Sequence, residues 1–437
     1  MRSKAEVTAA VLAAIEAQRQ RIIEIGEYVW QNPEPGYREF KTSALAKEVL
    51  QELGLPLRDK LSITGMRADL DSGRPEPTLA ILGEMDSLIL PSHPESDLET
   101  GAAHACGHHS HITAMLGTAM ALVQAGFKED MAGKIAFVPV PAEECLEIAK
   151  RIEMMNRGEI KAIGGKASMI REGVFDDVNL AIMNHLSIAD GYSCSLHNGF
   201  VVKNLLFQGK SCHAGSPARG INALNIATLA QNALAMLRET FTDPSIRMHG
   251  IITQGGASVN IVPDKIVMEY LLRADDMEKI KNLSTVFDRA VQGAAHALGG
   301  KAEIHSIPGY AVMKDHRELW QVFEDAVRYL YPEAQFRSDG KSTGSTDMGD
   351  LSMIMPSIHA TVPGAAGTSH GIDYHVKDKE AAYLDNTRIL ALCAIELLYG
   401  DAERGRTVAA QRQGLISIPE YIEMMDSLTQ ETTNNIC

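Results

Sequence analysis

The 437-residue sequence has no apolar run approaching the ~20 residues needed to span a bilayer. Met1-Arg-Ser-Lys4 leads into a charged amphipathic pattern rather than an apolar signal core, so no membrane association and a cytoplasmic location are expected. Paired cysteines are also missing. The six thiols, Cys106, Cys145, Cys194, Cys212, Cys393 and Cys437, are scattered singly, which excludes a disulfide framework. Cys393, inside the apolar stretch LALCAIELL, reads as core. Positive charge is in deficit, with 41 Lys+Arg against 56 Asp+Glu and a net charge of −15. That balance repels nucleic acid and anionic membranes and leaves small molecules or proteins as partners. There is no internal repeat or low-complexity tract, and the chain is too long for one ordinary core, so two domains are expected.

What the sequence does contain is a concentration of soft and borderline metal donors. His104-Ala-Cys-Gly-His-His-Ser-His111 packs one thiol and four imidazoles into eight residues. Cys106 and His108 can present both donor types to one cavity, as zinc-like ions require. Three apolar runs elsewhere end in polar donors. Pro77 to Asp86 ends in Glu84 and Asp86, Gly133 to Glu144 in Glu143 and Glu144, and Val178 to His185 in His185. Continuous apolar runs bounded by turn signals are the pattern of parallel strands covered on both faces, and ligands of such sheets gather outside the strands' carboxyl ends. The Cys106–His108 pair precedes a helical period over Ile112 to Ala125 that Gly126 stops. All these donors are expected on one rim.

The fold class that follows is α/β, a mostly parallel sheet flanked by helices. An opening helix, with Val7, Val11, Ile15 and Ile22 on one face, is cut by Asn32-Pro-Glu-Pro-Gly36, and a second runs from Ser43 to Leu53. From Phe200 to Ile307 the pattern changes to strand, helix (Asn222 to Phe241), two strands, helix (Met277 to Leu298) and strand. This β-α-β-β-α-β order predicts an inserted ferredoxin-like α+β domain at 199–308, interrupting a catalytic domain made of 1–198 and 309–437. After Pro308 a helix over Leu319 to Tyr331, a strand over Met353 to Val362 and a helix over Glu380 to Leu398 complete the first domain. The polar tail after Asp426 reads as loose.

With these segments in order, the chain resembles the aminoacylase-type dinuclear metallopeptidases, in the amidohydrolase branch that holds the hippurate, auxin-conjugate and p-aminobenzoyl-glutamate hydrolases. The resemblance rests on nine ordered segments: WQNPEPGYREFKTS (30–43), GEMDSL (83–88), HACGHHSH (104–111), PAEE (141–144), GGKASMIREGVFDDVNLAIMNH (164–185), GKSCHAGSPARGINALN (209–225), GGASVNIVPD (255–264), GSTDMGDLSMIMP (344–356) and GTSHGIDY (367–374). It implies two divalent ions per chain, zinc or manganese, with nickel or cobalt as alternatives. Their ligands would be Cys106, His108, Glu144, His185 and His370, with the Cys106 thiolate as bridge. Glu143 falls on the family's general base and Asp86 on a position that orients a ligand. Two adjacent acids at a strand end diverge unless the chain turns, so a bend at Glu143-Glu144 is required.

The same resemblance makes the insert a lid and dimerisation domain. His213 and Asn260 would reach the substrate across a homodimer interface, and Arg273, Ser345, Thr346 and Asp347 are candidates to bind a substrate carboxylate. Two positions depart from the family pattern. His109 stands where Asp or Asn is common, and Glu84-Met-Asp86 stands where related peptidases have His-x-Asp. His104, His109 and His111 are read as outside the ligand set, and His197 and His359 as structural. The expected activity is metal-dependent hydrolysis of an N-acyl or N-aroyl amino acid, of the p-aminobenzoyl-glutamate or indoleacetyl-aspartate type. A dipeptidase or aminoacylase with the same site is the enzymatic alternative, and a metabolite-binding or metal-buffering relative the non-enzymatic one. Retention of Glu143 speaks against the latter, because binding alone needs no base.

Overall fold

The computed structural model describes residues 1–75 and 77–433, so Cys437 lies outside the described residues. The three apolar runs form neighbouring parallel strands in the order Lys134–Val140, Thr78–Glu84, Leu180–Ser187, and Ser357–Pro363 joins the last of them in parallel. Every residue of Thr78–Glu84 is buried, as a strand covered by helices on both faces must be. The antiparallel hairpin Leu57–Leu61 and Gly65–Asp71 extends one edge, and Tyr192–His197 with Phe336–Ser342 extends the other, making eight strands among the described residues. Leu57–Leu61 and Tyr192–His197 are only partly buried and lack a continuous apolar run, which is why sequence patterning does not find them.

The helix expected from Ile112 begins earlier, at His108, and runs to Gln124. It packs on Thr78–Glu84 and Leu180–Ser187. Gly83 permits that approach, since a Cβ there would lie 2.8 Å from the Cα of Ile112. His108, His109 and His111 therefore occupy the first turn of a helix pressed against the strand ends, rather than a loop before it.

Three further expectations are corrected. The opening helix is two helices, Lys4–Ala17 and Arg19–Gln31, the first started by a Ser3–Glu6 capping box. Met353 and Ile354 end a short helix, Met348–Ile354, and the strand begins only at Ser357, after Pro356 has interrupted the helical hydrogen bonding. The tail is not loose up to Thr433. Gln430–Thr433 pairs antiparallel with Lys301–Pro308, where main-chain hydrogen bonding to an open edge holds a segment that has no apolar pattern of its own.

The second sheet has the order Arg247–Gln254, Lys265–Ala274, Gly199–Gln208, Lys301–Pro308, Gln430–Thr433, all antiparallel. Its first four strands have the ferredoxin-like order expected of β-α-β-β-α-β connectivity. The helices Ala223–Leu237 and Met277–Ala297 cover one face, started by the side chains of Asn222 and Asp276. Phe200, Val202 and Ile307 lie on the other face and pack against Ile148, from the segment that follows Glu144.

Candidate metal centre

The candidate residues come together at the carboxyl ends of the four central strands. Glu84 and Asp86, both fully buried, end the first run. Glu143 and Glu144 follow Lys134–Val140, His185 lies within Leu180–Ser187, and His370 lies in the loop after Ser357–Pro363. Two local backbone features aim the remaining donors. Gly107, at φ 122°, turns the chain between Cys106 and His108, and a Cβ there would stand 2.9 Å from Leu186 Cβ. His370 itself adopts φ 60°, a conformation that costs a non-glycine residue about 1–3 kcal/mol. Its N–H donates to Ala105 O at 2.8 Å, tying the loop to the residue before Cys106.

Cys106, His108 and His185 place donor atoms within 4.8 Å of one another, and so do Cys106, Glu144 and His370. Cys106 is common to both triads. Its Sγ is 3.4 Å from His185 Nε2, and Glu144 Oε1 is 3.6 Å from His370 Nε2. His185 Nδ1 donates to Leu186 O at 2.7 Å, which leaves Nε2 as the free nitrogen facing the thiol. His108 Nε2 and Glu144 Oε1 are buried without any hydrogen-bond partner. Buried polar atoms seldom go unpaired; Glu84 Oε2 stands 3.3 Å from His108 Nε2, and because both unpaired atoms belong to the donor triads, cations bound there would supply their missing partners. A thiolate, three imidazoles and a carboxylate fit such ions.

The donors are held from behind. Asp86 Oδ1 accepts from His108 Nδ1 at 2.9 Å, and its Oδ2 accepts the Glu144 N–H at 2.8 Å. The Leu186 N–H donates to His111 Nε2 at 3.2 Å, so the His111 ring proton is on Nδ1 and is donated to Glu84 at 2.8 Å. With both nitrogens engaged, His111 supports the cluster, although it also stands within donor reach of Glu84 and His108. His104 and His109 pack beside Trp30, away from both triads. His359, 5.0 Å from His185 between ring centroids, links it to His197 by ring contacts.

Sequence patterning did not single out the charge balance beneath the site. Lys166 is fully buried between Glu84, at 2.5 Å, and Asp347. Burial opposes its charge, but the two carboxylates outweigh burial and hold the ammonium well above its usual range. Burial likewise raises Glu84, yet the charges of Lys166 and His108 bring it well below the usual carboxylate range. Asp347, pushed up by burial to about 6, is thus an interior partner of Lys166 rather than a group offered to substrate. Glu143 is raised well above its ordinary value, by burial first and then by the charges of Glu84, Asp347 and Glu144. A lysine inside the GGKASM segment was the one available signal, and nothing in its local pattern distinguishes a buried lysine from a solvated one.

The remaining candidates divide. Arg273 is half-buried on Lys265–Ala274, with its guanidinium 5.8 Å from the Phe200 ring centroid and its charge felt by Cys145, next to Glu144. Ser345 Oγ is buried and unpaired, whereas Thr346 Oγ1 accepts the Met348 N–H at 3.2 Å. His213 and Asn260 lie side by side on exposed loops of the second sheet, joined by Ala214 N–H to Asn260 O at 2.9 Å. Among the described residues neither belongs to a metal-donor group.

This α/β scaffold, with clustered donors at its strand ends, defines a metal-dependent hydrolase of amide bonds. The sequence matches the profile of peptidase family M20/M25/M40 over residues 80–396, and the chain belongs to that family. It is 27% identical over 414 residues to the Xaa-Arg dipeptidase of Homo sapiens, covering 88% of this chain and 87% of that protein. It is 28% identical over 289 residues to one of the chains of the p-aminobenzoyl-glutamate hydrolase of Escherichia coli strain K12, covering 64% of this chain and 56% of that protein. Among solved structures, the YXEP protein of Bacillus subtilis, described as a dinuclear metal-binding peptidase of the M20 family, has the same fold. That likeness has a TM-score of 0.64 at 21% identity and covers 87% of this chain and 98% of that one. Among the described residues no helix is long and apolar enough to cross a membrane.

Proposed function

We propose that the protein hydrolyses the amide bond of an N-acyl or N-aroyl amino acid, with an acidic amino acid such as glutamate or aspartate as the amine product. The observation that carries this reading is the pair of donor triads sharing Cys106, with the Glu143 carboxyl beside them and a half-buried Arg273 on the facing sheet. Cys106, His108 and His185 would hold one divalent ion and Cys106, Glu144 and His370 the other, zinc or manganese being the ions this donor set suits, with nickel and cobalt as alternatives. Bound there, the cations polarise a carbonyl oxygen and lower the pKa of water. Glu143 accepts the proton of the attacking water and passes it to the departing nitrogen, a role open to a carboxylate set beside the two triads. Arg273 and Ser345 receive the substrate carboxylate.

His213 and Asn260 serve a second copy of the chain. The strand Arg247–Gln254 ends the sheet and exposes Ile251 and Ile252, so a two-fold pairing of this sheet can use that edge. A dipeptide also offers an amide and a free carboxylate, and the match to a dipeptidase over most of the chain makes a dipeptidase the second reading.

A liquid-chromatography screen of the metal-loaded protein tests the proposal, using aroyl and acyl glutamates, aspartates and neutral amino acids alongside dipeptides. Cleavage of acyl-acidic substrates above all others is expected. Cleavage of dipeptides alone would move the assignment to the second reading.

A further inference from the structure

Between Glu144 and Gly164 the chain forms the helix Ile148–Asn156. Ile148, Ile152 and Met155 pack with Phe200 and Val202 of the second sheet, while Met154 packs with Tyr37 and Ala142 beside the metal centre. From this helix Arg151 enters the interior, where it is 3% exposed. Among the described residues no carboxylate pairs with it. Its donors go to main-chain carbonyls, Nη2 to Glu144 O at 2.5 Å and Nη1 to Ile163 O at 2.6 Å, with Ala142 O at 3.5 Å. The guanidinium stands 5.3 Å from the Tyr37 ring centroid.

These contacts complete an unusual local arrangement. Lys134–Val140 ends three residues before Glu143, Ala142 takes φ 53°, which turns the chain just ahead of the two acids, and the chain bends again at Glu144. The bend's backbone groups are nearly all engaged. The Ala142 N–H donates to Glu39 at 2.7 Å, Tyr310 Oη donates to Glu143 O, the Glu144 N–H donates to Asp86, and Glu144 O accepts from Arg151. Among the described residues, Arg151 is the side chain that reaches carbonyls on both sides of Glu143, Glu144 O closely and Ala142 O at the limit of 3.5 Å, beside the N–H groups of Leu146 and Gly165 that the two also accept. Its planar fork can span them where an ammonium cannot.

We propose that Arg151 is a positioning residue, which holds the Glu143–Glu144 bend from a helix resting on the second sheet and so keeps Glu143 free of metal while Glu144 binds it. The proposal rests on the amidohydrolase reading above. A carboxylate displaced by about 1 Å can lose roughly 100-fold in rate, so the bend has little tolerance.

The test compares wild type, Arg151→Lys and Arg151→Met, with folding checked by circular dichroism. Each is titrated with Co²⁺ alone, followed by its visible spectrum, and then assayed on an amide that the wild type cleaves. In Arg151→Lys the second Co²⁺ is expected to bind about 10-fold or more weakly, as when the support of a metal ligand is removed. Its kcat should fall by roughly 10- to 100-fold with KM within about 2-fold, a split that loss of stability alone does not produce. Arg151→Met should show the larger loss; if it does not fold, Arg151→Lys, which keeps the buried charge, decides. Wild-type Co²⁺ binding and kcat in Arg151→Lys would overturn the proposal, and so would loss of its fold, which would make Arg151 a structural brace. A wild-type protein that takes up no Co²⁺ or cleaves no amide would instead overturn the amidohydrolase reading.

Discussion

Asp86 and His108 form the hinge of the candidate centre: Oδ1 of the carboxylate accepts from the imidazole Nδ1 at 2.9 Å, which fixes the ring with Nε2 turned into the site. The other oxygen of Asp86 accepts the Glu144 N–H, so one side chain aligns a donor in each triad. Asp86→Ala should therefore weaken both metals at once, by about 10–100-fold in affinity. Competition with a chromogenic chelator measures this, and loss of a single metal would show that Asp86 supports only one triad.

Glu143 and Glu144 are neighbours with different expected fates. Glu143→Gln should keep two metals and lower kcat by roughly two to four orders of magnitude, whereas Glu144→Gln should lose metal. Metal analysis beside steady-state kinetics separates the two, and the opposite pattern would exchange their roles.

Coexpression of Glu143→Ala with His213→Ala tests service across a dimer. A mixed dimer joins the intact Glu143 of one chain to the intact His213 of the other, so one of its two sites works. With random pairing about a quarter of all sites should recover. No recovery, or a monomer by light scattering, would place His213 outside the partner's site.

Asp350 offers a pH signature away from the metal donors. Fully buried, with Oδ1 accepting the Ala311 N–H at 2.8 Å, it is pushed up to about 7, by burial first and then by the charge of Asp347. An unfolded aspartate titrates near 4, so between roughly pH 4 and pH 7 the folded chain holds the extra proton and loses stability as pH rises, by at most about 1.4 kcal/mol for each step of one in pH. Asp350→Asn keeps an acceptor for Ala311 and cannot ionise. Its Tm should fall less than that of wild type between pH 5 and pH 8; parallel curves would mean that Asp350 does not titrate there.

Much of this molecule is local and therefore readable along the chain. The buried strands near 80, 135 and 180 announce themselves because both faces are covered, and the β-α-β-β-α-β order of the second sheet follows from periodicity alone. A bend at Glu143-Glu144 was required by strand geometry, and the chain does bend at Glu144, just after Ala142 has turned it with φ 53°.

The residue types able to hold metal, the strand ends that carry them and the shortage of positive charge were set by the sequence by itself, since hydrophobic period and donor chemistry belong to individual segments. Only the tertiary structure decided which polar groups lie beneath the site. Lys166 joins Glu84 and Asp347 from positions 82 and 181 residues away, and Arg151 grips the Glu144 carbonyl while its helix packs against the second sheet. Gln430–Thr433, polar and without period, becomes a strand because an edge was open to receive it. For Lys166 and for Gln430–Thr433 the cost of burying a charge or leaving a hydrogen bond unmade is met by a distant partner, and a distant partner leaves no mark on the local pattern.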